Sequence, residues 1–252
     1  MGRVIVIANQ KGGVGKTTTA INLSACMAAA GMKTLLIDLD PQGNATSGLG
    51  VRKQSLERSV YDALVDHVAL ADVARPTLVD GLMVVPANKD LVGAEIELVD
   101  APEREYRLRR QVEEIRDAFH YVFIDCPPSL GLLTLNGLVA ADGVLITLQC
   151  EYYALEGLSE LLHTIVLVRD KLNPRLRLEG VLLTMYQHTN LSKQVMDDVR
   201  AHLGQKVYET VIPRNVTLSE APSFGKPVIY YDVKSPGARA YLALAREVAA
   251  RG

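Results

Sequence analysis

Short apolar runs rich in β-branched residues alternate with longer segments of helical periodicity along the chain. Most of these runs are apolar at every position, which is typical of parallel strands covered by helices on both faces. The pattern predicts strands at Val4–Ala8, Thr34–Asp38, Leu82–Pro86, Tyr121–Asp125, Gly143–Gln149, Leu178–Thr184 and Val207–Ile212. It predicts helices at Lys16–Ala30, Val60–Val65, Ala87–Val99, Glu103–Phe119, Leu132–Ala140, Leu155–Leu172, Leu191–Leu203 and Ala238–Ala250.

The alternation of strand and helix favours right-handed β-α-β crossovers. We therefore predict an α/β fold with a doubly wound, mostly parallel sheet flanked by helices. No long linker, repeat or low-complexity segment interrupts the pattern, so we expect residues 1–252 to form a single domain. Open sheets of this type bind ligands at the carboxyl ends of their strands. The candidate binding loops therefore follow Ala8, Asp38, Asp125, Thr184 and Ile212.

Composition narrows the class of protein. The chain has 252 residues, of which 48% are hydrophobic, and its formal net charge of −2 means that any nucleic-acid face would have to be local. Its three cysteines are widely separated, which fits reduced thiols in a cytosolic protein better than a disulfide framework or a zinc site. No apolar run reaches the length of a membrane span, and no signal-peptide pattern is present. We expect a cytoplasmic protein with no stable membrane anchor.

The stretch "NQKGGVGKTTTA" lies between the first predicted strand and the first predicted helix. Glycines at positions 12, 13 and 15 allow the backbone to curl so that N–H groups point at an anion, and the helix N-terminus adds its dipole. Lys16 would reach the β- and γ-phosphates of a nucleotide, and the Thr17 hydroxyl would coordinate Mg²⁺. The predicted nucleotide-binding residues of this loop are Lys11, Gly12, Gly13, Val14, Gly15, Lys16, Thr17 and Thr18.

A dinucleotide-binding fingerprint is the alternative interpretation of the same loop. Gly13 and Gly15 would be its first two glycines, and Asp38 would be the acid that ends the second strand. The third glycine of that motif is replaced by Thr18, and a Lys-Thr pair has no role in it. A dehydrogenase is therefore the weaker hypothesis.

Two acidic loops follow predicted strands. In "LLIDLDPQGNATSGLG", Asp38 ends the strand and Asp40 stands at the rim, where a carboxylate can orient an attacking water or hold Mg²⁺ through water. In "YVFIDCPPSLG", Asp125 ends a Walker B type of strand and would contact Mg²⁺ through water. The two prolines that follow force the chain to turn beside the γ-phosphate. We interpret Cys126 as a packing residue, because no activating side chain is near it in sequence.

The motifs "KGGVGKT", "DLDPQGN" and "DCPP" resemble the deviant phosphate loop and the two switches of the ParA/MinD class of P-loop ATPases. In that class two subunits sandwich two ATP molecules, and the first lysine of the loop contacts the phosphates of the opposite subunit. The resemblance implies that Lys11, Lys16 and Asp40 are catalytic, with Asp40 positioning the hydrolytic water. It implies Thr17, Asp40 and Asp125 as the residues around Mg²⁺.

Three further stretches, "VIPRNVTLSEAPSFGKP", "LLTMYQH" and "QCEYYALEGL", resemble the chromosomal, Soj-like branch of the class. That resemblance implies that Pro213 and Asn215 close over adenine and that Met185 lies below the ring. It also implies a weak Mg²⁺-dependent ATPase that forms a homodimer with ATP, binds double-stranded DNA without sequence preference and is reset by a ParB-type centromere-binding protein. Such a protein is expected in the cytoplasm, associated with the nucleoid.

The resemblance also implies a DNA-binding face, for which the basic residues in the last quarter of the chain are the candidates. From residue 191 to the end the chain carries nine Lys or Arg against six Asp or Glu, a modest excess that a dimer would double. The candidate DNA contacts are Lys193, Arg200, Lys206, Arg214 and Lys226. His188 and Thr217 stand where close relatives often carry arginine, which leaves the strength and place of DNA binding open. An ordinary solvated face is the alternative.

Two other functions remain open at this point. One is a metabolic P-loop enzyme that uses ATP to activate a small acid. The other is a MinD-like positioning scaffold that acts on a polar or membrane partner. The Ala-rich end "GARAYLALAREVAARG" lacks the basic amphipathic pattern of a membrane-binding tail, which counts against the lipid version of the scaffold.

Overall fold

The computed structural model describes residues 2–151 and 154–251. Eight strands form one sheet in the order β3-β4-β2-β5-β1-β6-β7-β8. The strands are β1 (Arg3–Ala8), β2 (Thr34–Asp38), β3 (Arg75–Pro76), β4 (Leu82–Val85), β5 (Tyr121–Asp125), β6 (Gly143–Gln149), β7 (Arg177–Tyr186) and β8 (Val207–Pro213). All neighbouring strands are parallel except the short edge strand β3, which is antiparallel to β4. The predicted α/β fold with a mostly parallel sheet is confirmed.

Twelve α-helices connect or flank the described strands. They are α1 (Lys16–Ala29), α2 (Asn44–Gly48), α3 (Val60–Leu64), α4 (Leu70–Val73), α5 (Leu91–Glu97), α6 (Arg107–Ile115), α7 (Leu132–Ala140), α8 (Ala154–Lys171), α9 (Asn190–Leu203), α10 (Val216–Glu220), α11 (Val228–Tyr231) and α12 (Pro236–Ala250). Short 3-10 helices lie at Lys53–Ser55, Arg104–Tyr106, Arg116–Ala118, Gly204–Lys206 and Ala221–Phe224. None of the helices in the described part of the chain is long and apolar enough to cross a membrane.

The sheet has a hydrophobic core on each face. Along β1, Val4 and Val6 belong to one core while Ile5 and Ile7 belong to the other, because successive strand side chains point to opposite faces. Residues of α3 to α9 complete the first core, and α1 and α12 pack together over the second. Burial on both faces explains why the strand sequences are apolar at every position.

Parallel pairing brings the ends of the central strands together. Ile7 of β1 and Asp38 of β2 are both in register with Asp125 of β5. The loops that leave these three strands therefore start side by side at one edge of the sheet. This edge carries the candidate site.

Two predicted helices were too long. The helix predicted at Ala87–Val99 begins only at Leu91, because the side chain of Asn88 accepts a hydrogen bond from the backbone N–H of Asp90 and donates one to its carboxylate, which forms a turn. The helix predicted at Glu103–Phe119 is α6 flanked by two 3-10 helices. The short elements β3, α2, α4, α10 and α11 were not predicted, since they span only two to five residues each.

Strand β7 runs further than predicted. It begins at Arg177 and continues to Tyr186, so that Met185 lies within the strand and not in the loop after it. Met185 has a φ of 51°, a left-handed conformation that is rare for a residue with a side chain. This distortion falls at the carboxyl end of the strand, beside the phosphate loop.

Candidate functional site

The phosphate loop ends in a left-handed glycine that starts α1. Gly15 has a φ of 87° and Gly13 a φ of 73°, so both positions favour glycine. No side chain caps the first turn of α1. Its leading N–H groups are consequently available to an anion, to which the helix dipole adds.

Buried polar contacts hold this loop in place. The Asn9 amide donates to the carbonyl of Thr147 over 2.6 Å, and its oxygen accepts from the N–H of Lys11 over 3.0 Å. From the other side, the Thr184 hydroxyl donates to the Val14 carbonyl over 2.9 Å. The loop therefore depends on β6 and β7 as well as on β1.

Lys16 points back into its own loop. Its ammonium group donates to the Lys11 carbonyl over 2.9 Å, and the residue is 6% exposed. Burial lowers the pKa of Lys16, while the negative charge of Asp125 opposes that shift. The ammonium group thus occupies the centre of the cradle and faces the acidic loop.

Lys11 instead points outward from the same loop. Its Nζ lies 2.8 Å from Oε2 of Glu151, and both side chains are about half exposed. The other oxygen of Glu151 accepts from the Gln149 amide over 2.6 Å. The outer lysine is therefore held within its own subunit by an exposed carboxylate.

Three aspartates converge across the cradle from Lys16. Asp38 is buried and accepts hydrogen bonds from the N–H and hydroxyl of Thr46 and from the N–H of Asp40. Burial, opposed by these hydrogen bonds, raises the pKa of Asp38 to about 6. Asp40 is 7% exposed and accepts from the N–H of Gln42 over 2.9 Å.

Of the three aspartates, Asp125 has the least favourable environment for a negative charge. It is fully buried, and within residues 2–151 and 154–251 neither of its carboxylate oxygens has a hydrogen-bond partner. Burial and then the charge of Asp38 raise its pKa, while the Thr17 hydroxyl and Lys16 act in the opposite direction. Two orphaned carboxylate oxygens beside a hydroxyl fit the oxygen preference of Mg²⁺.

The protein alone does not complete such a metal site. Within residues 2–151 and 154–251 no three His, Cys, Asp or Glu side chains are arranged to hold a metal ion. A divalent cation beside Asp125 would take its remaining oxygens from water and phosphate, as Mg²⁺ commonly does. Cys126 is buried, and burial raises the pKa of its thiol, which agrees with a packing role.

Two cavities meet at the start of α1. One, of about 390 Å³, is lined by the glycine loop together with Lys16, Thr17, Asp40 and Pro128. The other, of about 360 Å³, is lined by Pro213, Asn215 and Leu218 among others. They share the residues Gly15, Thr18 and Met185. A cradle lined by Lys16 and Asp40 that opens into a second pocket fits the phosphates and the base of one nucleotide.

A close approach by α12 shapes the base pocket. The amide oxygen of Asn215 is buried and has no hydrogen-bond partner in the described part of the chain, and a Cβ at Gly237 would lie 2.9 Å from it and 2.6 Å from Cγ of Leu218. Tyr241, one turn further along α12, also lines the pocket, and its hydroxyl lies 3.0 Å from that of Thr19. The Asn215 wall therefore rests on a position where only glycine fits.

A protein-family profile described as an AAA domain matches residues 2–178. The sporulation initiation inhibitor protein Soj of Bacillus subtilis (strain 168) is 58% identical, over 100% of both chains. The chromosome partitioning protein ParA of Myxococcus xanthus (strain DK1622) is 56% identical, over 100% of this chain and 89% of that protein. This chain belongs to the ParA/Soj family of P-loop ATPases.

One solved structure extends the comparison to a bound nucleotide. Cobyrinic acid a,c-diamide synthase from Mycobacterium smegmatis, crystallised with an ATP analog and magnesium, is 40% identical with a TM-score of 0.86. The match covers 98% of this chain and 93% of that one. The ParA/Soj chain and this synthase therefore have the same overall fold.

The predicted DNA contacts of this ParA/Soj chain are spread over several elements. Lys206 and Arg214 stand at opposite ends of β8, which spans seven residues, or about 23 Å at the usual rise per residue. Arg214 lines the base pocket, whereas Lys193 and Arg200 lie on α9. Lys226 follows the 3-10 helix at Ala221–Phe224.

Several residues of the ParA/Soj site were missed by sequence reasoning. Glu151 is the most informative, because it contacts Lys11 from 140 positions away and belongs to no chemical motif. Thr184 was expected only to end a strand, yet it supports the phosphate loop. Gln42 and Asn44 also line the phosphate cavity. Gln42 and Asn44 could have been predicted from the segment "DPQGN", because both lie in the same loop as Asp40, but only the aspartate was assigned a role.

Asp125→Asn should stabilise the nucleotide-free protein at pH 7.5 by about 1–3 kcal/mol, since it removes a buried charge without a partner. The pKa of Asp125 and that of Asp38 are raised by folding, so the folded state binds protons more tightly and loses stability as pH rises from 4 past 6. The gain from Asp125→Asn should therefore vanish near pH 4. Urea unfolding at both pH values measures it, with exposed Asp80→Asn as the control. Equal effects of the two variants would contradict the charge cluster.

Gly237→Ala should weaken ATP binding about tenfold, because its Cβ displaces Asn215 and Leu218 at the base pocket. Gly157→Ala is the matched control, since Gly157 is also helical and its Cβ would meet none of the described atoms within 4 Å. Both substitutions raise helix propensity equally. Calorimetric titration with an ATP analog distinguishes them. Unchanged affinity in Gly237→Ala would show that the nucleotide does not use this wall.

Proposed function

We propose that this chain is an ATP-dependent chromosome-partitioning ATPase that cycles between a monomer and an ATP-bound dimer on DNA. The observation that carries the proposal is the pair of joined cavities, with the unpartnered Asp125 at one side and the outward-pointing Lys11 at the lip. Relatives at 56–58% identity over the whole chain carry partitioning and Soj names, which supports it.

ATP and Mg²⁺ are the proposed ligands. The N–H groups of Gly12 to Thr18 surround the phosphates, and Lys16 exchanges its contact with the Lys11 carbonyl for the β- and γ-phosphates. The Thr17 hydroxyl and Asp125 would hold Mg²⁺, which would supply positive charge to the phosphates. Pro213 and Asn215 close over the base, with Met185 below it.

Hydrolysis is proposed to depend on Asp40. Its carboxylate reaches the phosphate cavity from the rim, opposite Lys16, and its position is fixed by the Gln42 N–H. There it orients water toward the γ-phosphate, or holds Mg²⁺ through water. Phosphoryl transfer needs mainly positioning and charge stabilisation, which these residues supply. We propose a weak ATPase, because its role is to time a cycle.

Lys11 is proposed to act across the dimer. It lies outside the cradle that Lys16 already fills, and it is half exposed, so it can reach a nucleotide on a facing subunit. To do so it must leave Glu151. ATP binding and dimerisation then become linked events, since each site is complete only in the dimer.

DNA and a ParB-type protein are the proposed partners. The dimer would bind double-stranded DNA without sequence preference, on the nucleoid in the cytoplasm. The dispersed positions of the basic residues favour contacts by two or more separate groups, of which Lys193 and Arg200 on α9 form one. The ParB-type protein would accelerate hydrolysis and return the chain to the monomer.

A metabolic enzyme is the second candidate, because the synthase structure at 40% identity bears the name of a small-molecule enzyme. An enzyme of that kind predicts ATP turnover that rises with a small carboxylic acid and is indifferent to DNA. The MinD-like scaffold predicts binding to a polar or membrane partner without DNA. Both alternatives are outcomes of the first test below.

Asp40→Ala should retain ATP binding and lose hydrolysis, which traps the dimer. We expect random duplex DNA to bind this variant with ATP and at least about tenfold more weakly with ADP, and to dissociate as salt rises. Fluorescence anisotropy at two salt concentrations measures the effect. Light scattering verifies that Asp40→Ala is a dimer with ATP. If this dimer does not bind DNA, the DNA-binding cycle is excluded, and the positioning scaffold and the metabolic enzyme remain as candidate functions.

Lys11→Ala should bind ATP but fail to dimerise, whereas Lys33→Ala, an exposed lysine remote from the loop, should dimerise normally. Glu151→Gln releases Lys11 in both subunits and should lower the dimer dissociation constant by at most about thirtyfold, because each of the two exposed ion pairs is worth about 0–1 kcal/mol. Light scattering with Mg-ATP provides the measurement in an Asp40→Ala background. A dimer that forms without Lys11 would refute its action in trans.

A further inference from the structure

Helix α5 exposes an apolar stripe that lines neither cavity of the nucleotide site. Val92, Ile96 and Val99 are 51%, 72% and 52% exposed. The helical path continues past α5, since the N–H of Val99 bonds the Ile96 carbonyl. Spacings of four and three residues place the three side chains on one side of it.

The fold does not need this stripe. The opposite side of the same helix packs into the core through Leu91, Ala94 and Leu98, which are at most 4% exposed. A surface helix usually carries polar residues on its outer face. Three adjacent branched apolar side chains on that face indicate an interaction surface.

Acidic residues border the stripe on both sides. Residues 90–105 contain six Asp or Glu and one Arg. At 100° per residue, Glu95 flanks one edge of the stripe, while Asp100 and Glu97 flank the other. Among the described residues Glu95 and Asp100 have neither an ion pair nor a hydrogen-bond partner for their side chains, and both remain available to a cation.

A groove extends the acidic border. It has a volume of about 480 Å³ and separates α5 from residues 56–62. Its walls carry the carboxylates of Glu57, Asp62, Asp90 and Glu97 against the cations of Arg58 and Lys89. The surface around the apolar stripe is therefore negative overall.

We propose that this face of α5 docks a positively charged amphipathic helix of a partner protein. The apolar stripe would take the partner's apolar side, and the acidic borders would pair with its lysines or arginines. DNA and anionic lipid are both repelled by this charge. A second copy of the chain docked through the same face would oppose acid to acid.

The exposed face of α5 adjoins the segment that follows Asp125. A Cβ at Gly131, the residue immediately before α7, would lie 2.5 Å from Oε1 of Glu95. Three residues earlier, Pro128 lines the phosphate cavity and faces Gly12. A partner that displaces Glu95 can therefore shift the segment between Asp125 and α7. Any effect on hydrolysis rests on the function proposed above, whereas the docking itself does not.

The test uses the full chain and a labelled model helix of about 18 residues, or five turns, with leucine at every third or fourth position and lysine elsewhere. A version with glutamate in place of lysine is the charge control. The variants are Ile96→Ser, which removes the apolar centre, and Asp100→Lys, which reverses one border charge. Val233→Ser is the matched control, because Val233 is also an exposed valine, at 54%.

We expect the lysine helix to bind the unaltered chain and Val233→Ser equally. Ile96→Ser and Asp100→Lys should each weaken binding about tenfold, and binding should weaken as ionic strength rises. The glutamate helix should not bind. Equal binding by all variants, or none by the unaltered chain, would overturn the proposal. Because neither DNA nor ATP is present, this outcome is independent of the DNA test of the partitioning function.

Discussion

The parallel pairing of β5 between β1 and β2 is the constraint on which the nucleotide site depends. It sets Asp125 in register with Asp38 on one side and with Ile7 on the other, so that the phosphate loop and both acidic loops leave the sheet together. Each loop is short, and none forms the site alone. A shift of one residue in this register would turn Asp125 toward the opposite face of the sheet and separate it from Lys16.

The same arrangement concentrates unfavourable charge. Asp38 and Asp125 are buried next to one another, and only Asp38 has a full set of hydrogen bonds. Folding therefore holds a buried carboxylate that Lys16 compensates only in part, at the point where a cation bound to phosphate would neutralise it. The buried carboxylate lowers the free energy of unfolding of the nucleotide-free protein, and a bound cation would restore it. Functional sites commonly reduce stability in this way.

Site residues could be predicted from the sequence where they belong to one contiguous motif or follow a predicted strand. The glycine loop and Lys16 were predicted because phosphate binding needs contiguous residues, and alternation of strands and helices placed Asp38, Asp40 and Asp125 at one sheet edge. Glu151 and Gly237 were not predicted, since their roles arise only from packing: Glu151 contacts Lys11 across 140 positions, and Gly237 on α12 approaches Asn215 and Leu218 of a different segment. The basic residues were grouped by composition, although the predicted strand Val207–Ile212 already separated Lys206 from Arg214. The helix predicted from Ala87 was wrong at its start because side-chain hydrogen bonds of Asn88 compete with helix formation.

The contact between the Lys16 ammonium and the Lys11 carbonyl means that the cradle needs no anion to keep its shape. A cation of the protein already fills the space between the loop and the acids, and Asn9 and Thr184 brace the loop from two strands. A nucleotide that enters exchanges one electrostatic contact for another and does not have to order a flexible segment. Because the loop is ordered when the chain folds, nucleotide binding does not lose free energy to ordering it. The free energy of phosphate binding can then drive conformational changes elsewhere in the molecule.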